Sequence, residues 1–201
     1  MAEAVSTTRD RLLSAARELF TSEGYHAATT PVLAARAGVA EGTIYRHFSS
    51  KQALLNAVYQ DVQQWGSATI REVAEFPGRT PERLARLATT WLAAAEADPP
   101  RVLMLLAWPL TGELDDASRQ AGKDFRAQLE HLIAVGKQEG TIRAGVVELW
   151  TVVWLTLVTA AATRVATREW SPRHPHALAT LEAAWEAIAG RLVGAVPTPE
   201  A

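Results

Sequence analysis

Cysteine is missing from all 201 residues, so disulfides, thiol redox sensing and zinc sites built on thiolates are excluded. Long apolar runs are missing as well. The longest, Leu149 to Ala162, is about fourteen residues and is broken by Thr151, Thr156 and Thr159, whereas a membrane span wants roughly twenty. The opening Met-Ala-Glu-Ala-Val-Ser has neither the basic residues nor the apolar core of a secretory leader. The five histidines (His26, His47, His131, His174 and His176) show no metal-ligand spacing with carboxylates on one helix face. Arg173-His-Pro-His176 reads as a solvated, proline-bearing connection. Neither a glycine-rich phosphate cradle nor a serine nucleophile motif is present. These absences predict a soluble cytoplasmic protein without metal or cofactor, and not an enzyme.

Strong charge of one sign is lacking too. The net charge is −2, and residues 1–60 carry six Lys or Arg against five acids, so the remainder holds −3. Such a chain cannot coat a polyanion by phosphate neutralisation alone. Any nucleic-acid affinity must come from a few placed contacts, doubled by dimerisation. At 48% hydrophobic and 21% charged the composition is that of a globular protein, long enough for a small domain fused to a larger one.

Helix signals dominate what is present. From Thr30 to Phe48 the sequence reads as two short helices joined by a tight turn. Ala34 lets the second approach, Gly38 supplies a left-handed residue, and Ile44 pins the second helix to a core. That geometry presents a short helix to a groove wide enough to admit one, the DNA major groove. Upstream, Thr7 and Asp10 start a helix whose stripe is Leu12, Ala16, Leu19 and Phe20, ending at Gly24. Thr30 is read as an N-cap with Pro31 at the first helical position. Ser49-Ser-Lys-Gln52 is read as a capping box for a fourth helix burying Leu54, Leu55, Val58, Tyr59 and Val62.

Pro77-Gly-Arg-Thr-Pro81 marks a break before a larger body. Helices are predicted to open at Thr80-Pro81 and Asp98-Pro99, the second apolar all round from Val102 to Trp108. A long amphipathic helix carries Phe125, Leu129, Leu132, Ile133 and Gly136. A strongly apolar one runs from Val146 to about Thr167. The last follows Pro175, with Leu178, Leu181, Trp185, Ile188 and Leu192 spaced by three and four as a narrow seam. The fold class predicted is all-α.

The run Ala37-Gly-Val-Ala-Glu-Gly-Thr-Ile-Tyr-Arg-His-Phe-Ser-Ser-Lys-Gln-Ala-Leu54 lies behind a Leu-Phe-x-x-x-Gly-Tyr element at Leu19 to Tyr25. Together they closely resemble the TetR/AcrR family of bacterial transcriptional regulators, usually dimeric repressors that a small ligand releases from DNA. The resemblance covers roughly residues 7–62, and Glu139-Gly-Thr-Ile-Arg143 resembles a turn late in the family's body. It implies an N-terminal three-helix head with the helix-turn-helix (1–50), a linking helix (about 50–75) and a C-terminal ligand-binding and dimerisation bundle (76–201). Ala40 stands where the family often has serine, a lost cap worth about 1 kcal/mol.

The resemblance also assigns roles in the head. Thr30, at a helix N-terminus, can grip phosphate. Gly42 lets backbone approach a base, Thr43 can reach one, and Arg46 is the candidate bidentate guanine reader. Lys51 is a phosphate contact at the start of the next helix. Tyr45 and His47 are read as phosphate contacts, with a core aromatic and a structural histidine as the alternatives. Glu41 either accepts from cytosine N4 or is simply solvated.

In the body, aromatics at helical spacing are more often core than ligand contacts. By analogy with the family, Trp91, Met104, Trp108, Phe125, Leu129 and Trp154 could line an effector cavity, Thr151 or Thr156 adding a hydrogen bond and Arg126 a charge. The effector would be small and largely apolar. Trp150 with the Leu178, Leu181, Trp185, Ile188 and Leu192 seam is expected to form a homodimer interface of four helices, the alternative being a monomer in which the seam buries within one chain. Two recognition helices would then sit about 34–36 Å apart on a palindromic operator in double-stranded DNA, with no membrane involved. The alternatives are a constitutive or activating DNA-binder with no effector, and an enzyme using the bundle cavity.

Overall fold

The computed structural model describes residues 7–107 and 112–190. Nine α-helices are present among them: α1 (Thr8–Ser22), α2 (Thr30–Ala37), α3 (Glu41–His47), α4 (Lys51–Ala74), α5 (Thr80–Ala97), α6 (Pro99–Leu106), α7 (Asp116–Gln138), α8 (Val147–Ala166) and α9 (Pro175–Ile188). No strand occurs among the described residues beyond one isolated antiparallel bridge, Ile142 to Ala189. The all-α expectation holds.

Local chemistry sets most boundaries. Thr7 and Asp10 form the capping box of α1, the Asp10 carboxylate accepting from the Thr7 N–H at 3.0 Å. Those hydrogen bonds hold Asp10 below the usual carboxylate range. Gly38 ends α2 with φ +65°, a conformation that costs a residue with a Cβ but not glycine. Asp98 caps α6 and Asp115 caps α7. Two expected caps differ. Helix α2 begins at Thr30, with Thr29 as N-cap, so Pro31 stands at the second position, where a missing N–H is still harmless. At α4 the capping box is absent. Ser50, not Ser49, accepts from the Ala53 N–H at 3.0 Å, and the Gln52 amide instead donates to the Glu113 carbonyl at 2.8 Å.

Helix α4 joins head to body. Leu54, Leu55, Val58 and Val62 are fully buried, and the main apolar core runs unbroken from α1 through α4 to α5, α7 and α8. Gly66 makes this possible, because a Cβ there would lie 2.7 Å from Leu105 Cδ1 and 2.9 Å from Phe125 Cε2. A second cluster, with Leu92, Val102, Ala161, Ala162 and Val165, locks α6 and α8 to α5. In α6 the expected all-round burial is partial: Val102, Met104 and Leu105 are buried, Leu103 only half. Trp108 lies outside the described residues.

Helix α8, Val147–Ala166, matches the helix expected from Val146 to about Thr167 to within a residue at each end. By length and composition alone its 20 residues, mean hydropathy 1.5, would suffice to cross a membrane. Here it packs as a body helix against α5, α6, α7 and α9, with Thr151, Trp154, Val158 and Val165 buried. Its outer side remains apolar: Val146, Leu149 and Val152 are 61%, 51% and 48% exposed.

Candidate nucleic-acid interface

Helix α3 is seven residues long and touches the rest of the head through few side chains. Ile44 is fully buried and Phe48, its C-cap, nearly so, as expected from their apolar character. Glu41, Gly42, Tyr45, Arg46 and His47 all face solvent. Tyr45 is 53% exposed, which removes the core-aromatic alternative, and His47 is exposed too. The N-cap is Ala40, without a side-chain hydrogen bond. Charge follows the helix dipole, with Glu41 in the first turn and Arg46 and His47 in the last. A Cβ placed on Gly42 would meet nothing within 4 Å. The fold itself therefore does not need glycine there.

Thr43 differs from these exposed neighbours. It is only 8% exposed, and its hydroxyl accepts from Arg46 Nη2 at 2.8 Å. At i and i+3 on a helix the two side chains are neighbours, and the Thr43 hydroxyl is engaged within α3. Thr30 and Glu41 also form a pair, the Thr30 hydroxyl donating to Glu41 Oε1 at 2.8 Å. This bond ties the start of α2 to the start of α3. Lys51 lies over the Tyr25 ring at 4.4 Å and reaches the His26 carbonyl at 3.4 Å. Partial burial pushes its ammonium below the ordinary lysine value.

Four arginines of the head, Arg9, Arg11, Arg17 and Arg36, carry contacts that the sequence did not suggest. Arg9, in the first turn of α1, lies 5.6 Å above the Phe48 ring, and Arg11 reaches toward the Ala37 carbonyl at 3.5 Å. Arg36 is paired with Glu18. Arg17 is different again. It is 7% exposed and crosses from α1 to the body, with Nη2 2.9 Å from Asp98 and Nη1 3.6 Å from Asp61. Burial draws its guanidinium below the ordinary arginine value, against the pull of Asp98. Nothing in the sequence near Arg17 signals this, since Asp98 is 81 residues away.

The predicted effector residues do not form one lined chamber. Trp91, Met104, Leu129 and Thr151 are essentially inaccessible. The Trp91 ring lies 6.0 Å from Phe125 and 6.1 Å from Trp154, so these side chains fill the interior they were expected to surround. The Thr151 hydroxyl donates to the Val147 carbonyl of its own helix at 3.0 Å, and Arg126 is exposed. Open space lies elsewhere. A polar cleft of about 410 Å³ between α4 and α7 is lined by Gln60, Gln63, Gln64, Ser67, Gln120 and Asp124, among others. An apolar groove of about 440 Å³ lies between α5, α8 and α9, and Trp154 reaches it.

The predicted dimer seam also divides. Ile188 is fully buried within its own chain and so is part of no surface. Leu181 and Trp185 are half-buried, and with the exposed Leu178 they line the α5/α8/α9 groove. Trp150 packs on the core beneath Arg143, whose guanidinium lies 5.3 Å over the ring. Leu192 lies outside the described residues.

A short outward helix, seated by a left-handed glycine on an all-α body, defines a helix-turn-helix protein. The description "Bacterial regulatory proteins, tetR family" matches residues 12–58. The nucleoid occlusion factor SlmA of Marinobacter nauticus is 31% identical over 137 residues, covering 68% of this chain and 70% of that one. The chain belongs to the tetR family of bacterial regulatory proteins. The HTH-type transcriptional regulator UidR of Escherichia coli (strain K12) is 40% identical over 68 residues, which cover 34% of this chain but only 35% of UidR. Among solved structures, a putative tetR family transcription regulator from Shewanella sp. PV-4 superposes with a TM-score of 0.74 at 26% identity, over 92% of this chain and 100% of that one.

Proposed function

We propose that this chain is a cytoplasmic DNA-binding transcriptional regulator that works as a homodimer on a palindromic operator and is released by a small, largely apolar effector. Residues 1–50 act as the reading head, α4 as the link and residues 76–201 as the effector-binding and dimerising body. The observation that carries this reading is the outward set on α3, with Ile44 and Phe48 holding the helix from behind. Arg46 reads guanine, oriented by Thr43. Gly42 admits the DNA close to the helix backbone. Tyr45, His47, Lys51 and Thr30 set register on phosphates, and Glu41 positions Thr30. Repression is supported by the HTH-type transcriptional repressor KstR2 of Mycobacterium tuberculosis, 26% identical over 126 residues.

Arg46→Ala is expected to flatten sequence preference by about 1–3 kcal/mol at one base pair per half-site. Lys51→Ala is expected to weaken all duplexes alike and to lower the salt slope by about one per head. Titrations over duplexes from a random-sequence selection measure both. Equal loss on every duplex for Arg46→Ala would remove its reading role.

The exposed apolar side of α8 supports the dimer, because surface residues of this size normally mark an interface when contiguous. Leu149→Glu with Val152→Glu is expected to turn a sedimenting dimer into a monomer while far-ultraviolet circular dichroism is unchanged. A wild-type monomer at micromolar concentration would contradict the assembly.

A second reading has its own support. The filled interior around Trp91 favours a DNA-binder that needs no effector. A compound panel that never changes operator affinity would favour it.

A further inference from the structure

We infer that the groove between α5, α8 and α9 is a binding site for a hydrophobic cation. This rests on the ligand-responsive reading above and names both the ligand class and the site. The walls are Leu84 and Ala88 of α5 with Leu178 and Leu181 of α9, and two indoles, Trp154 and Trp185, face the same space. At about 440 Å³ the groove has the size of small-molecule sites in general.

Its charge is one-sided. The charged residues that line it are Glu82 and Glu182, both solvent-exposed, and no lysine or arginine is among the lining residues. The arginines near the start of α5 are engaged elsewhere. Arg79 donates to the Glu139 carbonyl at 2.5 Å, Arg83 donates to the Phe76 carbonyl at 3.1 Å, and Arg86 lies 4.3 Å over the Phe76 ring. The two carboxylates attract a cation by Coulomb attraction and the partly exposed Trp185 ring by its quadrupole, while Trp154, only 2% exposed, adds apolar wall. The apolar walls demand that the cation carry substantial hydrocarbon, since a small hydrated ion gains nothing from Leu84 or Leu178. An anion of the same shape meets the same walls and two repelling carboxylates. The groove therefore discriminates by sign as well as by shape.

The test uses the full chain with tetraphenylphosphonium and tetraphenylborate, ions of matched shape and opposite charge, measured by equilibrium dialysis. Tetraphenylphosphonium is expected to bind saturably and at least about tenfold more tightly than tetraphenylborate. Glu82→Gln with Glu182→Gln is expected to abolish most of that preference. Glutamine can still accept from the Arg79 N–H that Glu82 now caps at 3.1 Å, so the start of α5 is retained. Equal binding of the two ions, or an unchanged preference in the double variant, would overturn the assignment. So would conversion of a dimer to a monomer by Leu178→Asp, which would give the groove to a second copy of the chain. Duplex binding is measured on the same samples. A protein that binds its duplex but not the cation loses this site and keeps the DNA-binding reading. A protein that binds the cation selectively, yet is indifferent to every duplex, does the reverse.

Discussion

Trp91→Ala is expected to destabilise the protein by about 3–5 kcal/mol, lowering the thermal midpoint by roughly 10 °C. The indole is fully buried in α5, between Phe125 of α7 and Trp154 of α8 at 6.0 and 6.1 Å. Truncation removes the contacts that hold three helices together, and the remaining rings are too large and too well anchored to collapse into the space. Trp91→Phe should behave very differently. Nε1 of Trp91 is buried without a hydrogen-bond partner among the described residues, so phenylalanine removes a polar atom along with some volume. Its cost is expected to be a small part of the alanine cost. Denaturant titration of the three proteins distinguishes the cases. A mild Trp91→Ala would mean that the interior is slack enough to accept a ligand there, and it would revive the chamber that the packed rings argue against.

How much of this was legible in the sequence depended on the range of the interaction. Thr7 with Asp10, Gly38, and the stripe Leu54, Leu55, Val58 and Val62 were readable because each is decided within a few residues. The helix-turn-helix was readable for the same reason, down to Ile44 behind α3. The capping box at Ser49 was not, because Gln52 finds a better acceptor in Glu113, 61 residues on. The α9 seam failed on geometry. Leu178 and Ile188 are ten residues apart, which at 3.6 residues per turn places them about 80° apart around the helix. One can therefore face the groove while the other is sealed in the core. Aromatic spacing correctly signalled burial of Trp91, Phe125 and Trp154, yet spacing carries no information on whether buried rings surround a space or fill it. The contact between Thr43 and Arg46 was not legible either, since it depends on the rotamer that the Arg46 side chain takes.

Besides the shared apolar core, an ion pair through Asp98 ties head to body, and Asp98→Ala is expected to cost about 3 kcal/mol. The carboxylate caps α6 and holds two guanidiniums, that of Arg17 and, at 3.4 Å, that of Arg101 on its own helix. Oδ1 accepts from the Arg101 N–H at 3.3 Å, capping α6, while Oδ2 holds Arg17 of α1 at 2.9 Å. Losing the cap costs about 1 kcal/mol. Losing the partner of a guanidinium only 9% exposed costs about 2 more, less than for a fully buried pair because Asp61 remains 3.6 Å away and the Asp98 side chain is itself 32% exposed. Asp98→Asn separates the two, since asparagine caps about as well as aspartate but carries no charge. Arg17→Met removes the charge from the other side and keeps the aliphatic stem packed against α4 and α6. If the pair is the true link, the double variant Arg17→Met/Asp98→Asn is less destabilised than the sum of the two single changes, by about 0.5–3 kcal/mol. Hydrogen exchange gives the location. Amides of α1 should lose protection in Asp98→Asn while the first turn of α6, still capped, keeps its own, whereas Asp98→Ala loosens both. Exact additivity of the two substitutions, or loosening confined to α6 in Asp98→Ala, would show that α1 is held to the body by its apolar face alone and that the ion pair is incidental.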